Sequence, residues 1–323
     1  MRLLLSTDTV GGVWDYTLAL VRGLRGDGHE VLLAVIGAPD EEKLSALPAG
    51  VEVEQREFRL EWMPGAAEDV EPAGDWLVSL ARRWRPDVVH LNQMAYAARD
   101  FGAPVLLVVH SDVLSWFGEV LGQPPGAEWG GYARSIGEGI RAADVLVTPS
   151  RHQSDLCLRH YGRPADRVIH NGVQPPAGEP TREREALLLT VGRAWDDAKG
   201  MAVVDAAMAI LGDEAPPAHL FGAEHGPAGQ YFEPRHLVRH GRTARAEVDR
   251  WMDRASLYVG ASHYEPFGLA PLEAALHGCT LVLSDIDSFR ELWDGAAEFF
   301  PKGNAAALAE SVARLQADPG GRT

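Results

Sequence analysis

Apolar positions along the chain fall into two kinds of pattern. The first is the short unbroken run: Leu3–Leu5, Val31–Ile36, Val88–Leu91, Val105–Val109 and Val145–Val147, then Leu187–Val191, Ala218–Phe221, Leu257–Val259 and Thr280–Leu283. A continuous run, as opposed to strict alternation, predicts a parallel strand covered on both faces. The second pattern lies between the runs and repeats every three or four residues. Residues 13–25 place Leu18, Val21 and Leu24 on one side of a helix, and further helices are expected at about 199–211, 244–255, 268–277 and 304–316. Strand, helix, strand in this rhythm predicts doubly wound parallel sheets.

The rhythm pauses once. Residues 172–186, from Gly172 through Gln174-Pro175-Pro176-Ala177-Gly178-Glu179-Pro180 to Ala186, are rich in Pro, Gly and charge, the composition of an exposed linker. The expected fold class is therefore α/β, with two Rossmann-like domains (1–172 and 173–323) and a central cleft. A chain of 323 residues suits two domains at roughly 150 residues each. Ligands of such folds bind at the carboxyl ends of the parallel strands.

Composition narrows the partners. With 46% apolar residues the chain can bury sizeable cores, which excludes a disordered or fibrous class. Forty-six acidic against 30 basic residues give a formal charge of -16, so nucleic acid and anionic lipid surfaces are expected to be repelled. No apolar run approaches the roughly 20 residues of a membrane span, and Met1–Leu5 is broken by Ser6-Thr7-Asp8 too soon for a signal peptide. Two cysteines, Cys157 and Cys279, build neither a disulfide framework nor a metal cluster. The expected location is cytoplasmic.

Three segments carry candidate chemistry. In the first, Leu3–Asp8 runs through Thr9-Val10-Gly11-Gly12 into a helix, and Gly11 and Gly12 let backbone N–H groups approach a phosphate or sugar; a plain tight turn is the rival reading. The G-x-G-x-x-G fingerprint of nicotinamide and flavin enzymes is absent. In the second, Thr190-Val191-Gly192-Arg193 to Lys199-Gly200 sets Arg193 just past a strand and Lys199 at the next helix, a compact diphosphate site or two solvated charges beside Asp196 and Asp197. The third is Ser262-His263-Tyr264-Glu265-Pro266-Phe267-Gly268-Leu269-Ala270-Pro271-Leu272-Glu273. Pro271 is tolerated only in a helix's first turn, so the helix starts near Gly268 or Leu269. Its free N–H groups suit an anion, and Glu265 and Glu273 suit sugar hydroxyls, although acids are also simply favourable at a helix N-terminus.

This third segment resembles the E-x7-E motif of retaining nucleotide-sugar glycosyltransferases of family 4, which have the GT-B fold. The resemblance covers nearly the whole chain in order: Gly11-Gly12-Val13, His110, Pro149-Ser150, Asn171-Gly172-Val173, Gly192-Arg193, Lys199-Gly200, Glu265–Leu269 and Glu273-Ala274. It implies an acceptor-binding first domain and a donor-binding second one. Gly11 and Gly12 would lie by the donor diphosphate and His110 by the donor sugar. Arg193 and Lys199 would neutralise the leaving group, while Glu265 held sugar hydroxyls. Phe267, Gly268 and Leu269 would offer backbone N–H groups, and Glu273 would bind the ribose. The implied activity is retaining transfer with no cofactor and no metal site, from a UDP-sugar in the first instance, with GDP- or ADP-sugars as alternatives. Departing phosphate oxygen, not an enzymatic nucleophile, would help deprotonate an acceptor that the sequence does not name.

Two departures from the family pattern stand out. Trp195-Asp196-Asp197-Ala198 replaces an apolar-then-basic stretch and makes the phosphate loop less positive. The helix ending near Ala317 is followed only by Asp318–Thr323, where the family has a helix crossing back to the first domain. Asp285-Ile286-Asp287 mimics a D-x-D metal site, but its place before a helix predicts an N-cap instead. Arg82, Arg83 and Arg85 around Trp84 read as a solvated helix end. Trp14, Trp62, Trp76, Trp84, Trp116 and Trp129 crowd the first half, where core packing outweighs sugar stacking. The rival functions are a GT-B nucleotide-sugar epimerase or hydrolase, and a catalytically decayed nucleotide-sugar-binding subunit.

Overall fold

The computed structural model describes residues 1–176, 178, 183–227 and 229–317. Part of the expected 172–186 linker and the Asp318–Thr323 tail lie outside them. The chain divides into two compact units, Met1–Val173 and Gln174–Thr323.

Among the described residues, the first unit is a seven-stranded parallel sheet in the order β3-β2-β1-β4-β5-β6-β7. Its strands are β1 (Arg2–Asp8), β2 (Glu30–Ile36), β3 (Glu52–Arg56), β4 (Val88–Leu91), β5 (Val105–Val108), β6 (Val145–Thr148) and β7 (Arg167–Val168). Around it lie α1 (Gly12–Gly26), α2 (Glu41–Ser45), α3 (Ala67–Trp84), α4 (Val113–Trp116), α5 (Gly130–Ala142) and α6 (Arg151–Tyr161). The second unit is a six-stranded parallel sheet in the order β10-β9-β8-β11-β12-β13. It comprises β8 (Glu185–Val191), β9 (Ala218–Phe221), β10 (Val238–Gly241), β11 (Ala255–Gly260), β12 (Thr280–Asp285) and β13 (Glu298–Pro301). Its helices are α7 (Met201–Leu211), α8 (Arg245–Arg254), α9 (Leu269–Leu276), α10 (Asp287–Trp293) and α11 (Ala305–Ala317).

The unbroken apolar runs are the central strands. Leu4, Leu5, Leu33, Val89, Leu107, Leu188, Leu189, Leu257, Val259 and Val282 are wholly buried, as two covered faces require. Trp14, Trp76 and Trp84 pack in the core. Each sheet reverses its strand order once, between β1 and β4 and between β8 and β11, and a crevice opens at the carboxyl ends of such a pair. No helix among the described residues is long and apolar enough to cross a membrane.

Two local details correct the sequence reading. Lys199 closes a short 3-10 turn, Asp197–Lys199, and α7 begins only at Met201 after Gly200, whose positive φ of 62° breaks the helical path. Asp285 is not an N-cap. Ile286 holds that position without a side-chain cap, and Asp285 instead forms a two-pronged pair with Arg290 at 2.6 and 2.7 Å. A planar guanidinium rewards that geometry more than one backbone N–H would. Arg82, Arg83 and Arg85 are exposed at the end of α3, as expected of a solvated helix end, with Arg83 paired to Glu54.

Arg184, just before β8, anchors the second unit from outside its sheet. Its Nη1 donates to the carbonyls of Met252 and Ala255 at 3.0 and 2.8 Å and its Nη2 to the carbonyl of His277, so one side chain satisfies the carboxyl ends of α8 and α9.

In the first unit α5 passes so close to residues 94–97 that a Cβ on Gly139 would stand 1.9 Å from the Met94 carbonyl oxygen, whereas Gly131 of the same helix faces open space. Gly139→Ala is therefore expected to destabilise by about 1–3 kcal/mol in urea unfolding and Gly131→Ala to leave the midpoint unchanged or slightly higher. Equal effects of the two substitutions would contradict this packing.

Candidate functional site

Each unit gathers its chemistry at its own reversal point. In the first unit, β1 ends at Asp8, whose Oδ1 accepts the Val10 N–H at 2.8 Å, turning the chain into Gly11. Gly11 has φ 73° and opens α1 without a side-chain cap, so the first-turn N–H groups behind it are uncapped by any side chain. Gly11 and Gly12 are both exposed.

His110 follows β5 by two residues and is half-buried. Tyr16 of α1 meets its ring edge-on at 4.5 Å between centroids, so the glycine turn and the histidine are neighbours. Beneath them runs a buried polar network. His110 Nε2 lies 2.8 Å from Asn92 Oδ1, the Asn92 amide nitrogen donates to the Ser6 carbonyl at 2.7 Å, and the Thr17 hydroxyl donates to the Val13 carbonyl at 2.8 Å. Burial, reinforced by neighbouring His90, pulls the His110 pKa down to about 3. Burial also pulls His90 down to about 4, against a hydrogen bond to Asn92 that favours the charged ring. Both rings are neutral at neutral pH.

Glu61 and Asp112 complete this end of the first sheet. Glu61 accepts the N–H groups of Met94 and Ala95 at 3.2 and 2.9 Å, yet burial pushes its carboxyl up to about 7, with Asp8 and Asp112 adding to the rise. Asp112 is held by neutral donors: the Ser115 N–H and hydroxyl, Gln153 Nε2 and the Tyr161 hydroxyl.

In the second unit Gly192 and Arg193 leave β8. Arg193 pairs with buried Asp196 at 2.6 Å and lies 5.5 Å from the Trp195 ring centroid. Asp196 Oδ1 also accepts the Ala198 N–H at 3.1 Å. The acidic stretch that departs from the family pattern thus fixes the arginine and caps the turn that carries Lys199.

Lys199 Nζ is ion-paired with Glu265 Oε2 across 66 positions of sequence. Both side chains are largely buried, 20% and 15% exposed, which makes this pair stronger than an exposed one. The loops bearing them are sewn together: His263 N donates to the Ala198 carbonyl at 2.7 Å, and a Cβ on Gly200 would stand 2.0 Å from the Ala261 carbonyl oxygen.

Gly268, at φ 89°, opens α9 with no side-chain cap, and Phe267 and Gly268 are buried while Leu269 is half-buried. Ser288 donates its hydroxyl to the Glu265 carbonyl, holding the loop from α10. Glu273 is buried and accepts from Arg245 Nη1 at 2.5 Å, while Arg245 Nε pairs with Asp249 at 2.7 Å. Burial opposes the Arg245 charge, but Glu273 and Asp249 outweigh it and raise its pKa. All seven expected residues of this unit thus lie on the β8 and β11 loops and the first turns of α9. Among the described residues no group of three or more His, Cys, Asp or Glu side chains could hold a metal ion.

Asn92, Glu61 and Arg245 carry no motif. Asn92 could have been flagged by its place one residue past β4, and Arg245 by opening α8; Glu61 has no sequence signal.

The sequence profile described as Glycosyltransferase Family 4 matches residues 10–175, and that described as Glycosyl transferases group 1 matches residues 185–318. The chain is 28% identical over 324 residues to glycogen synthase of Mycobacterium tuberculosis, spanning 87% of this chain and 76% of that protein. Sucrose-phosphate synthase from Thermosynechococcus elongatus superposes with a TM-score of 0.73 at 20% identity, over 98% of this chain and 90% of the other. HepE of Anabaena, solved with UDP and glucose, gives a TM-score of 0.73 at 17% identity, over 99% and 90%. These likenesses establish the α/β GT-B fold of two Rossmann-like domains.

The buried titratable groups set the pH dependence of stability. Below about pH 6.5 unfolding lets His90 and His110 each take up a proton, because both are held neutral in the folded state. Glu61, protonated up to about 7 when folded, gives one up on unfolding and opposes them. These three groups give a net uptake of one proton, and His219, His240 and His263, whose pKa values burial also lowers, add to it. Stability therefore falls as pH is lowered from 6.5 to 5, with a slope of about 1.4 kcal/mol per pH unit for each net proton. Urea midpoints across this range measure it. Glu61→Gln should steepen the decline, and a flat profile in both proteins would refute the assignment.

Proposed function

The chain belongs to glycosyltransferase family 4, and on that premise we propose that it moves a hexosyl group from a nucleoside diphosphate sugar to an acceptor, retaining the anomeric configuration and using no divalent metal. The observation that carries this reading is the Lys199–Glu265 ion pair beside the uncapped N-terminus of α9. Separating a largely buried pair costs several kcal/mol unless each ion finds a new partner. A nucleoside diphosphate sugar offers both at once: phosphate oxygens for Lys199 and hydroxyl donors for Glu265.

Breaking the glycosyl–phosphate bond leaves positive charge on the sugar and adds negative charge to the phosphate. Arg193, Lys199 and the backbone N–H groups of Phe267, Gly268 and Leu269 leading into α9 are assigned to the latter, and the two cations take the part that a metal plays elsewhere. Glu273, with one oxygen on Arg245, is assigned to the ribose hydroxyls, and Gly12 and His110 to the diphosphate and the sugar. The leaving phosphate oxygen takes the acceptor proton on the same face, so Glu265 is a hydroxyl ligand and not a covalent nucleophile. A UDP-sugar is the first choice of donor, supported by the UDP bound to the Anabaena neighbour; GDP- and ADP-sugars are the alternatives.

Thermal shifts with UDP, GDP, ADP and their sugar conjugates test the donor site. At a hundredfold excess over Kd, one nucleotide should add about 2.7 kcal/mol of stability, unchanged by EDTA. Lys199→Ala and Glu265→Gln should each lower transfer about 10²–10³-fold while circular dichroism stays native. No shift with any nucleotide, or near-normal turnover in both variants, would overturn the assignment. Donor breakdown without a glycosylated acceptor would turn it toward a hydrolase or epimerase.

A further inference from the structure

Asn92 is buried, and its hydrogen bonds leave its amide only one orientation. Its backbone N–H donates to Ser6 Oγ at 3.1 Å, and its side-chain Nδ2 donates to the Ser6 carbonyl at 2.7 Å and to Thr17 Oγ1 at 3.3 Å. A carbonyl can only accept, so the group facing Ser6 must be the NH2. Turning the amide over would press two oxygens together at hydrogen-bond distance. Thr17 spends its own proton on the Val13 carbonyl and so presents a lone pair to Asn92.

With Nδ2 fixed on Ser6, Oδ1 must be the atom that faces His110 Nε2 at 2.8 Å. An amide oxygen can only accept, so Nε2 carries the proton. In a neutral imidazole the other nitrogen is then an acceptor. Among the described residues His110 Nδ1 has no hydrogen-bond partner and is not among the buried unpartnered atoms, so it is accessible to water.

We propose that Asn92 is a positioning residue that holds His110 as its Nε2–H tautomer, so that Nδ1 offers a lone pair to a hydroxyl of the transferred sugar. The hydroxyl-binding part rests on the glycosyltransferase reading; the tautomer does not. The arrangement gives His110 a defined polarity. It accepts from a hydroxyl and repels a group that presents only lone pairs, so it selects a sugar hydroxyl at that place over a fluorine or a carbonyl.

The test has two arms. Long-range ¹⁵N–¹H correlation of the His110 ring in the full chain reads the tautomer directly. The expected result is Nε2–H in the wild type between pH 6 and 8 and a tautomer mixture in Asn92→Leu; the wild-type spectrum decides the tautomer even if the leucine variant does not fold. An Nδ1–H ring or a mixture in the wild type, or an unchanged ring in a folded Asn92→Leu, would overturn the proposal.

The second arm compares UDP-glucose, GDP-mannose and ADP-glucose with their deoxyfluoro analogues. For whichever parent sugar is turned over, one hydroxyl-to-fluorine exchange should cost the wild type tenfold or more in kcat/KM and cost Asn92→Leu much less, with KM for the parent donor little changed. Equal losses in both proteins would remove the sugar contact while leaving the tautomer standing. Turnover of none of the three would count against the glycosyltransferase reading, and the ring spectrum would still decide the tautomer.

Discussion

A parallel strand covered on both faces has no room for a charged side chain except at its ends. The central strands here obey this, with Leu4, Leu5, Leu188 and Leu257 sealed from water and only small or neutral polar residues such as Ser6, His90, Thr190 and Ser284 buried among them, and the charged chemistry is displaced to the loops beyond their carboxyl ends. Where the strand order reverses, the crossover helices diverge and leave those loops uncovered. Asp8, Gly11, Asn92 and His110 occupy that position in one unit, and Arg193, Lys199 and Glu265 in the other.

The same constraint explains what the sequence disclosed. Every central strand announced itself as an apolar run because both of its faces are buried. The strands without such a run, β3, β7, β10 and β13, are the four sheet edges. Edge strands lie half open to water and carry residues such as Glu52, Gln55, Arg167 and Arg239, which weaken the pattern and also discourage edge-to-edge pairing. Glycine and proline marked the turns well, since Gly268 needs its positive φ and Pro271 needs a first helical turn.

The sequence singled out individual candidate residues but not their pairings. Lys199 and Glu265 each stood in a recognisable segment, yet their ion pair spans 66 positions and exists only because β8 and β11 are neighbours. The hydrogen bonds of Asn92 were hidden for a related reason: its partners Ser6, Thr17 and His110 come from three other elements. The Asp196 that looked like a loss of positive charge proved to be the partner that fixes Arg193. A charge count along the chain could not separate a neutralised cation from an oriented one.

Arg184 has a consequence for where this protein can be divided. By composition it sits in the tail of a linker, and its neighbours Glu183 and Glu185 are exposed. Its guanidinium nevertheless closes the ends of two helices, so physically it belongs to the second unit. A boundary drawn at the first apolar residue of β8 would look tidy and would strip α8 and α9 of the cap on their last carbonyls. Expression of the second unit alone should start upstream of Arg184.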